Sequence, residues 1–385
     1  MEQEVKQQEV KQLDIKQRNV GFYAFFFSGI CSISSGIVVS LLQEKFGFAY
    51  GMTGTLLSIM SIGNLMAGFA AGVLPGKMGM KKSALFLAAG YALGYMIMAF
   101  SGWVALLVPA FFLAGMGKGS IINFCTIFVG NNSENRTKGM NMMHSCYACG
   151  ALLCPFVIAA AAVVAGWLPM AVLGVFGIVI LVLFASISME SAGTKGNTET
   201  DWSFLRNKKF WLLTGLLFCQ NAAETSVTGW MVTYFKGSGI LSGTLSTYTV
   251  TVMWFATLVA RMLIAFVFPV KHPGSTMIKM GIGCTVFYFG LMMANTQVLA
   301  ILLLFAFSFS MAGMNPTAVA SAGRMTNVTS MGVMLPAASA GAIIMPWIIG
   351  IVAEHAGLGA GMACNIAACA GMLIFSIAVK RLEHV

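Results

Sequence analysis

Glu224 is the one acidic side chain inside a long apolar run, in the stretch NAAETSVTGWMVTYF at 221–235. Gln220, Glu224 and Thr228 recur every four residues, so a helix places them on one face. A carboxylate on such a face can hold a transported proton or sodium ion. The pattern predicts Glu224 as an ion-coupling residue, and a structural ion pair or interhelical hydrogen bond is the alternative.

The surroundings of this carboxylate are those of a membrane protein. Of 385 residues, 58% are hydrophobic and only 9% are charged, whereas about a quarter of an average soluble domain is charged. A membrane-spanning helix needs about 20 apolar residues. Twelve runs meet this requirement, at roughly 20–43, 51–74, 83–101, 103–130, 139–165, 167–188, 210–235, 243–268, 275–294, 297–323, 328–353 and 357–379.

The loops between these runs alternate in charge. Basic residues cluster in the N-terminal tail 1–19 and in every second loop, while the opposite side holds little beyond Lys45 and Lys236. Because cytoplasmic loops carry the excess of Lys and Arg, we predict a multi-pass protein of the plasma (inner) membrane with both termini cytoplasmic. The net charge of +10 is scattered over these loops, which argues against a nucleic-acid partner.

The two halves of the chain repeat one another. Gly150-Ala-Leu-Leu-Cys-Pro155 is echoed by Gly341-Ala-Ile-Ile-Met-Pro346, Ala114-Gly-Met116 by Ala312-Gly-Met314, and Pro75-Gly-Lys77 by Pro269-Val-Lys271. The offsets are nearly constant and the order is kept. The predicted fold is therefore an all-α membrane protein with six-helix bundles at 20–188 and 210–385, joined by a cytoplasmic linker at 189–209.

This organisation resembles the major facilitator superfamily over essentially the whole chain. The stretch Gly72-Val-Leu-Pro-Gly-Lys-Met-Gly-Met-Lys-Lys82 keeps the glycines and bases of the family's loop after span 2, but Gly76 replaces its acid. The segments Glu224–Tyr234, Asn141–His144 with Gly150 and Pro155, and Ala260-Arg261 are similar to the fucose/galactose/glucose–proton symporter branch. The resemblance implies a monomer that works by alternating access, with the solute bound near the membrane midplane.

The resemblance also implies that spans 1, 4, 7 and 10 line the solute cavity, and the polar residues on them become candidate contacts. The predicted solute contacts are Ser28, Ser32, Ser35, Lys118, Asn123, Gln220, Asn221, Thr228, Trp230 and Asn315. Arg261, His144 and Asn141 are predicted to gate the cavity, and helix packing or helix-end hydrogen bonding is their alternative role. Asn315-Pro316 is predicted to bend span 10, because proline removes a backbone hydrogen bond.

These residues predict a secondary transporter rather than an enzyme, with no cofactor and no metal. The predicted function is proton-coupled monosaccharide uptake, and the monosaccharide follows from the resemblance. Spans 1 and 4 lack the branch's usual acids, so facilitated diffusion stays open, as does a sodium ion in place of the proton. The rivals are organic-anion uptake using Lys118, which could instead pair with Glu224, drug or metabolite efflux, and a membrane sensor without transport.

Overall fold

The computed structural model describes residues 2–133, 136–189, 203–268, 270–322 and 328–383, and they contain no β-strand. The predicted all-α class is confirmed. The helices, in chain order, are α1 (Glu2–Ile33), α2 (Ser35–Phe46), α3 (Tyr50–Met78), α4 (Met80–Phe100), α5 (Val104–Asn131), α6 (Arg136–Val164), α7 (Leu168–Ala185), α8 (Lys208–Ser238), α9 (Gly243–Met262), α10 (Pro273–Met293), α11 (Gln297–Met311), α12 (Met314–Ala322), α13 (Val328–Ala356), α14 (Leu358–Ala363) and α15 (Asn365–Glu383). A 3₁₀ turn (Ser203–Arg206) precedes α8 and a π-helical turn (Leu263–Val267) ends α9.

Within the described residues, 11 helical segments are long and apolar enough to cross a membrane. They match the predicted spans except span 7, which corresponds to α8. At 31 residues, α8 is about 46 Å long, so length does not separate it from the others. Its polar residues lower its hydropathy, and it tolerates them because 18 of its side chains are buried in protein rather than facing lipid.

The chain forms two compact units. The first comprises Met1–Val38 and Ile59–Lys195, and the second comprises Val39–Ser58 and Gly196–Val385. In the first unit α1 packs on α5, α6 and α7, while α4 packs on α5 and α7. In the second unit α8 packs on α9, α12, α13, α14 and α15, while α10 packs on α11 and α15. The predicted division at 20–188, 189–209 and 210–385 stays a prediction. The compact units differ from it in one segment, 39–58, which lies inside the predicted first bundle but belongs to the second unit.

The segment 39–58 is held in the second unit by polar contacts at its ends. Lys236 Nζ lies 2.8 Å from Glu44 Oε1, and the backbone N–H of Gly51 donates to Glu354 Oε2 at 3.0 Å. Ser58 Oγ donates to the carbonyl of Ile343 at 2.6 Å. These contacts fix the short connection between α2 and α3.

The internal repeat is visible in the packing of each unit. A Cβ added at Gly150 would overlap the carbonyl oxygen of Phe26, and one added at Gly341 would overlap that of Phe218. Each pair of contacting residues lies about 191–192 positions from its counterpart. Because only glycine allows this approach of two helix backbones, both units use the same close contact of their first and fifth spans.

Three spans are interrupted within the described part of the chain: at Ser34 between α1 and α2, at Ala312-Gly313 between α11 and α12, and at Cys364 between α14 and α15. Tyr95 Oη donates to the carbonyl of Cys31 beside the first break. Its repeat counterpart Tyr288 donates to the carbonyl of Met362 at 2.9 Å beside the third. Backbone carbonyls released at these breaks therefore keep a hydrogen-bond partner, as buried polar groups must.

Candidate functional site

A narrow cleft inside the second unit brings the polar face of α8 against α9 and the broken span α11–α12. It is lined by Gln220, Glu224, Thr228, Met253, Trp254, Thr257, Arg261, Ser308, Met311, Ala312 and Asn315. The spacing of Gln220, Glu224 and Thr228 is therefore realised as one helix face, as their sequence positions predict. The cleft contains one acidic and one basic side chain.

Glu224 is the start of a hydrogen-bonded chain across the cleft. Gln220 Nε2 donates to Glu224 Oε2, and Asn315 Nδ2 donates to Gln220 Oε1 at 3.3 Å. Gln220 is only 2% exposed, whereas Glu224 and Asn315 are half-buried. Both ends of the Gln220 amide are thus occupied, and its orientation depends on what Glu224 and Asn315 present to it.

Arg261 completes the cleft by bonding to the break in span 10. Pro316 has no N–H, so the carbonyl of Ala312, four residues earlier, loses its helical partner. Arg261 Nε donates to this carbonyl at 3.4 Å. The predicted bend of span 10 is present, but the helix is interrupted at Ala312-Gly313 because proline affects the carbonyl one turn before it.

The cleft has a volume of about 20 Å³, which is room for about one water molecule. Ser308 lines it, is 1% exposed, and its Oγ has no hydrogen-bond partner among the described residues. A buried hydroxyl normally has a partner. The space and the hydroxyl together suit a water molecule that could carry a proton.

The predicted contacts on span 1 lie within the first unit. Ser28 and Ser32 are fully buried, and Tyr91 Oη lies 2.6 Å from Ser32 Oγ and 3.3 Å from Ser28 Oγ. Ser35 is half-buried. The two buried serines would reach a solute only if Tyr91 moved. The sequence prediction did not include Tyr91, although a tyrosine in an apolar span signals a hydroxyl that needs a partner.

The other candidates on the first unit have different environments. Lys118 and Asn123 are half-buried on α5, and Asn123 Nδ2 donates to the carbonyl of Gly119 at 2.7 Å. His144 is exposed and its ring meets Phe25 edge-on at 5.6 Å. The side chain of Asn141 lies outside the described residues. The pairing of Lys118 with Glu224 stays a prediction.

On α8, Asn221 and Thr228 are half-buried, but Trp230 is fully buried. Its Nε1 donates to the carbonyl of Pro346 at 3.1 Å, and its ring lies 6.2 Å from that of Tyr50. A tryptophan in this position has no face open to a solute. Its full burial also separates Trp230 from lipid.

Comparisons with known proteins agree with this architecture. The sequence profile of the Major Facilitator Superfamily matches residues 21–346, and no curated protein matches the chain. Among solved structures, the nucleoside transporter NupG superimposes with a TM-score of 0.76 at 12% identity, covering 97% of this chain and 99% of that one. A D-xylose–proton symporter superimposes with a TM-score of 0.71 at 15% identity, covering 94% and 96%.

A bacterial homolog of the human lysosomal transporter Spinster, in an inward-facing and occupied conformation, gives a TM-score of 0.69 at 9% identity, covering 97% of this chain and 96% of that one. At such identities the structural likeness shows the fold alone. The profile match extends over most of the chain, from the first predicted span into the eleventh. On that match the chain belongs to the major facilitator superfamily, and it is a multi-pass membrane transporter of a small-molecule solute.

Proposed function

We propose that the transporter couples proton entry to the uptake of a monosaccharide or another sugar-containing solute, with Glu224 as the proton carrier. The observation that carries the proposal is the hydrogen-bonded chain from Glu224 through Gln220 to Asn315. It joins an ionisable group to the helix that follows a break. The solute class is supported by the nucleoside transporter and the D-xylose–proton symporter among the structures of the same fold.

The proton step changes the direction of one hydrogen bond. An ionised Glu224 accepts from Gln220 Nε2, but a protonated carboxyl group carries an O–H donor at one oxygen. When the proton is on Oε2, the Gln220 amide turns to present its oxygen to that donor. The same oxygen then no longer accepts from Asn315 Nδ2. Protonation at α8 is in this way transmitted to α12.

The cleft has the space and the side chains for proton transfer to Glu224. Its volume of about 20 Å³ accommodates one water molecule, which can deliver a proton between Ser308 Oγ and the Glu224 carboxylate. Sodium stays the alternative, because Glu224, Thr228 and Ser308 in the same lining also offer oxygen ligands, and a sodium gradient in the test below distinguishes the two ions.

The solute is bound by polar side chains of the spans that the resemblance assigns to the cavity. We propose Asn221, Thr228 and Asn315 in the second unit, and Lys118 and Asn123 in the first, since all are half-buried. Ser28, Ser32 and Ser35 contribute in a conformation in which Tyr91 has moved. We further propose a monomer of the inner membrane with both termini cytoplasmic, and the distribution of basic loops supports that orientation.

The test is uptake into proteoliposomes with an imposed proton gradient, over a panel of monosaccharides, nucleosides and small carboxylates. Glu224→Gln keeps the shape of the side chain and cannot ionise. We expect it to lose accumulation of the solute against its gradient while keeping exchange of labelled for unlabelled solute. Glu44→Gln is the matched control, because Glu44 is an exposed acid paired with Lys236, and accumulation should be unchanged.

Each part of the proposal has its own contrary result. Accumulation that persists in Glu224→Gln would remove the proton carrier, and accumulation driven by a sodium gradient alone would replace the ion. Uptake of carboxylates but not of sugars, lost in Lys118→Gln, would replace the solute class by an organic anion.

A further inference from the structure

An apolar groove with a basic rim runs along the second unit, away from the cleft. It is lined by Lys208, Trp211, Leu212, Ile374, Ile377, Ala378, Arg381 and Leu382, and its volume is about 620 Å³. The first three belong to the start of α8 and the others to the end of α15. Glu224 lies 16 residues further along α8, which is about 24 Å, so the groove is separate from the proposed proton site.

The wall of the groove is held in place by the turn before α8. Trp211 Nε1 donates to the carbonyl of Leu205 at 2.8 Å, and the ring of Phe210 packs edge-on against the indole at 5.3 Å. These contacts fix the indole and leave it 47% exposed, while Ile374 opposite is 64% exposed. The groove therefore presents a defined apolar surface.

Two cations stand at one end of this apolar surface. Lys208 and Arg381 are exposed, and neither makes an ion pair or side-chain hydrogen bond with a residue that the structure describes. Arg206 and Lys380 lie on the same helix ends. A ligand that fits must combine a negative head with a long apolar body.

The internal repeat allows the groove to be compared with the equivalent region of the first unit. Lys208 and Arg381 correspond to Lys16 and Ser188, at offsets of 192 and 193 residues. In the first unit Lys16 Nζ donates to the carbonyl of Ser186 at 2.8 Å, and Gln17 Nε2 donates to that of Ser188 at 2.6 Å. In the first unit the cation at this position is thus bonded to the chain itself, whereas in the second unit Lys208 and Arg381 border an open groove.

We propose that this groove is a binding site for an anionic phospholipid, with its phosphate on Lys208 and Arg381 and an acyl chain against Trp211, Ile374 and Ala378. Basic pockets between spanning helices on the cytoplasmic side select anionic head groups. Tryptophan is also the residue enriched at the level of the head groups. The apolar groove supplies the contact that a free phosphate ion could not use.

The experiment follows Trp211 fluorescence in the purified full-length protein, reconstituted in phosphatidylcholine bilayers with added phosphatidylglycerol. Either lipid carries bromine on its acyl chains to quench nearby indoles. The signal of Trp211 is the difference between the protein and its Trp211→Phe variant. We expect phosphatidylglycerol to bind several-fold more tightly than phosphatidylcholine.

Charge removal tests the basic rim. Lys208→Ala and Arg381→Ala should each reduce the preference for phosphatidylglycerol about fivefold, since one cation near the surface contributes about that factor. Lys16→Ala removes the counterpart cation and should leave the preference unchanged. A double variant of Lys208 and Arg381 that keeps the wild-type preference would overturn the proposal, as would an equal loss in Lys16→Ala.

Two further measurements test the groove itself and distinguish a lipid from a free anion. Ala378→Phe fills the groove and keeps both cations, so it should abolish quenching of Trp211 by either lipid, and full quenching in this variant would refute the groove. Inorganic phosphate should not displace brominated phosphatidylglycerol. Displacement by phosphate would show a simple anion site in place of a lipid site.

Discussion

The first helices of the two units carry polar pairs at equivalent positions with different environments. Ser28 and Ser32 in the first unit correspond to Gln220 and Glu224 in the second, at an offset of 192 residues. The two serines are buried beneath the hydroxyl of Tyr91. The glutamine and glutamate border a cleft that continues to α9 and α12.

The difference follows from one position on the third span of each unit. Tyr91 corresponds to Cys284, at an offset of 193 residues. Cys284 is also buried, but its short side chain has no phenolic hydroxyl that could bond to the first helix of its unit as Tyr91 does. The polar face of the first unit is satisfied within the bundle, whereas that of the second is satisfied along the cleft. A repeated fold can thus satisfy the polar residues of one first span within its own bundle and place a carboxylate at the equivalent position of the other.

The strongest contrast should come from the glycine before each of these positions. A Cβ at Gly90 would overlap the carbonyl oxygen of Leu113 and lie 2.9 Å from the nitrogen of Gly117. A Cβ at Gly283 would meet side chains alone, with Ser310 Oγ at 2.5 Å, Ser310 Cβ at 2.9 Å and Phe287 Cε2 at 3.7 Å. We expect Gly90→Ala to destabilise the protein by about 3 kcal/mol and Gly283→Ala by about 1 kcal/mol.

Thermal unfolding of both variants in the same detergent measures this difference. Gly76→Ala, where a Cβ would meet nothing within 4 Å, serves as the control. Equal losses of stability in Gly90→Ala and Gly283→Ala would contradict this prediction, because a backbone contact and a side-chain contact would then cost the same.

Tyr91→Phe and Gln220→Leu should separate stability from coupling. Tyr91→Phe leaves two buried serine hydroxyls without their partner, so we expect a loss of about 1–3 kcal/mol in stability with transport retained. Gln220→Leu removes the donor to Glu224, and since a hydrogen bond to a charged group contributes about 1.5–3 kcal/mol, proton-coupled uptake should slow about tenfold.

Unfolding temperature and the initial rate of uptake are measured for both variants. If Tyr91→Phe instead changed the apparent affinity for the solute and left stability intact, the predicted solute contacts at Ser28 and Ser32 would be supported.

Arg261→Ala should reduce the uptake rate about fivefold, because the carbonyl of Ala312 loses a donor that at 3.4 Å is weaker than a normal charged hydrogen bond and worth about 1 kcal/mol. Pro316→Ala provides an N–H that can satisfy this carbonyl within the helix. In the double variant we expect stability to recover and transport to stay low, as measured by unfolding and uptake in parallel. Recovery of uptake would mean that Arg261 serves only to stabilise the helix.

Ser308→Ala should have the smallest effect. Its Oγ has no partner among the described residues, so stability should change by less than about 0.5 kcal/mol, while proton-driven uptake slows about twofold if the hydroxyl orders water for Glu224. Ser310→Ala is the neighbouring control, since Ser310 Oγ is bonded to the carbonyl of Ala306 in its own helix. An equal slowing in both variants would remove Ser308 from the proton path.

The helices and the family could be predicted from the sequence because they depend on local quantities. Run length, hydropathy and the sign of loop charges are properties of consecutive residues. The face of Gln220, Glu224 and Thr228 follows from helical spacing alone. The least apolar span, α8, proved to be one that packs on five other helices, which explains why polar residues concentrate on it.

The interruptions of spans 1 and 12 could not be predicted in this way. No proline marks Ser34 or Cys364, and beside each break a tyrosine from another helix, Tyr95 or Tyr288, donates to a backbone carbonyl. The burial of Trp230 likewise depends on its distant partner Pro346. Such contacts join residues far apart in the chain, so spacing within one helix carries no information about them.

At the carbonyl of Ala312 a side-chain donor, Arg261 Nε, replaces the backbone N–H that Pro316 lacks. In an unbroken helix this carbonyl would be tied to the backbone one turn later, and bending would sever a bond shielded from water. Here the exposed guanidinium of Arg261 supplies the bond, so a change in the angle between α11 and α12 would break a side-chain contact that can re-form rather than a hydrogen bond of the helix backbone.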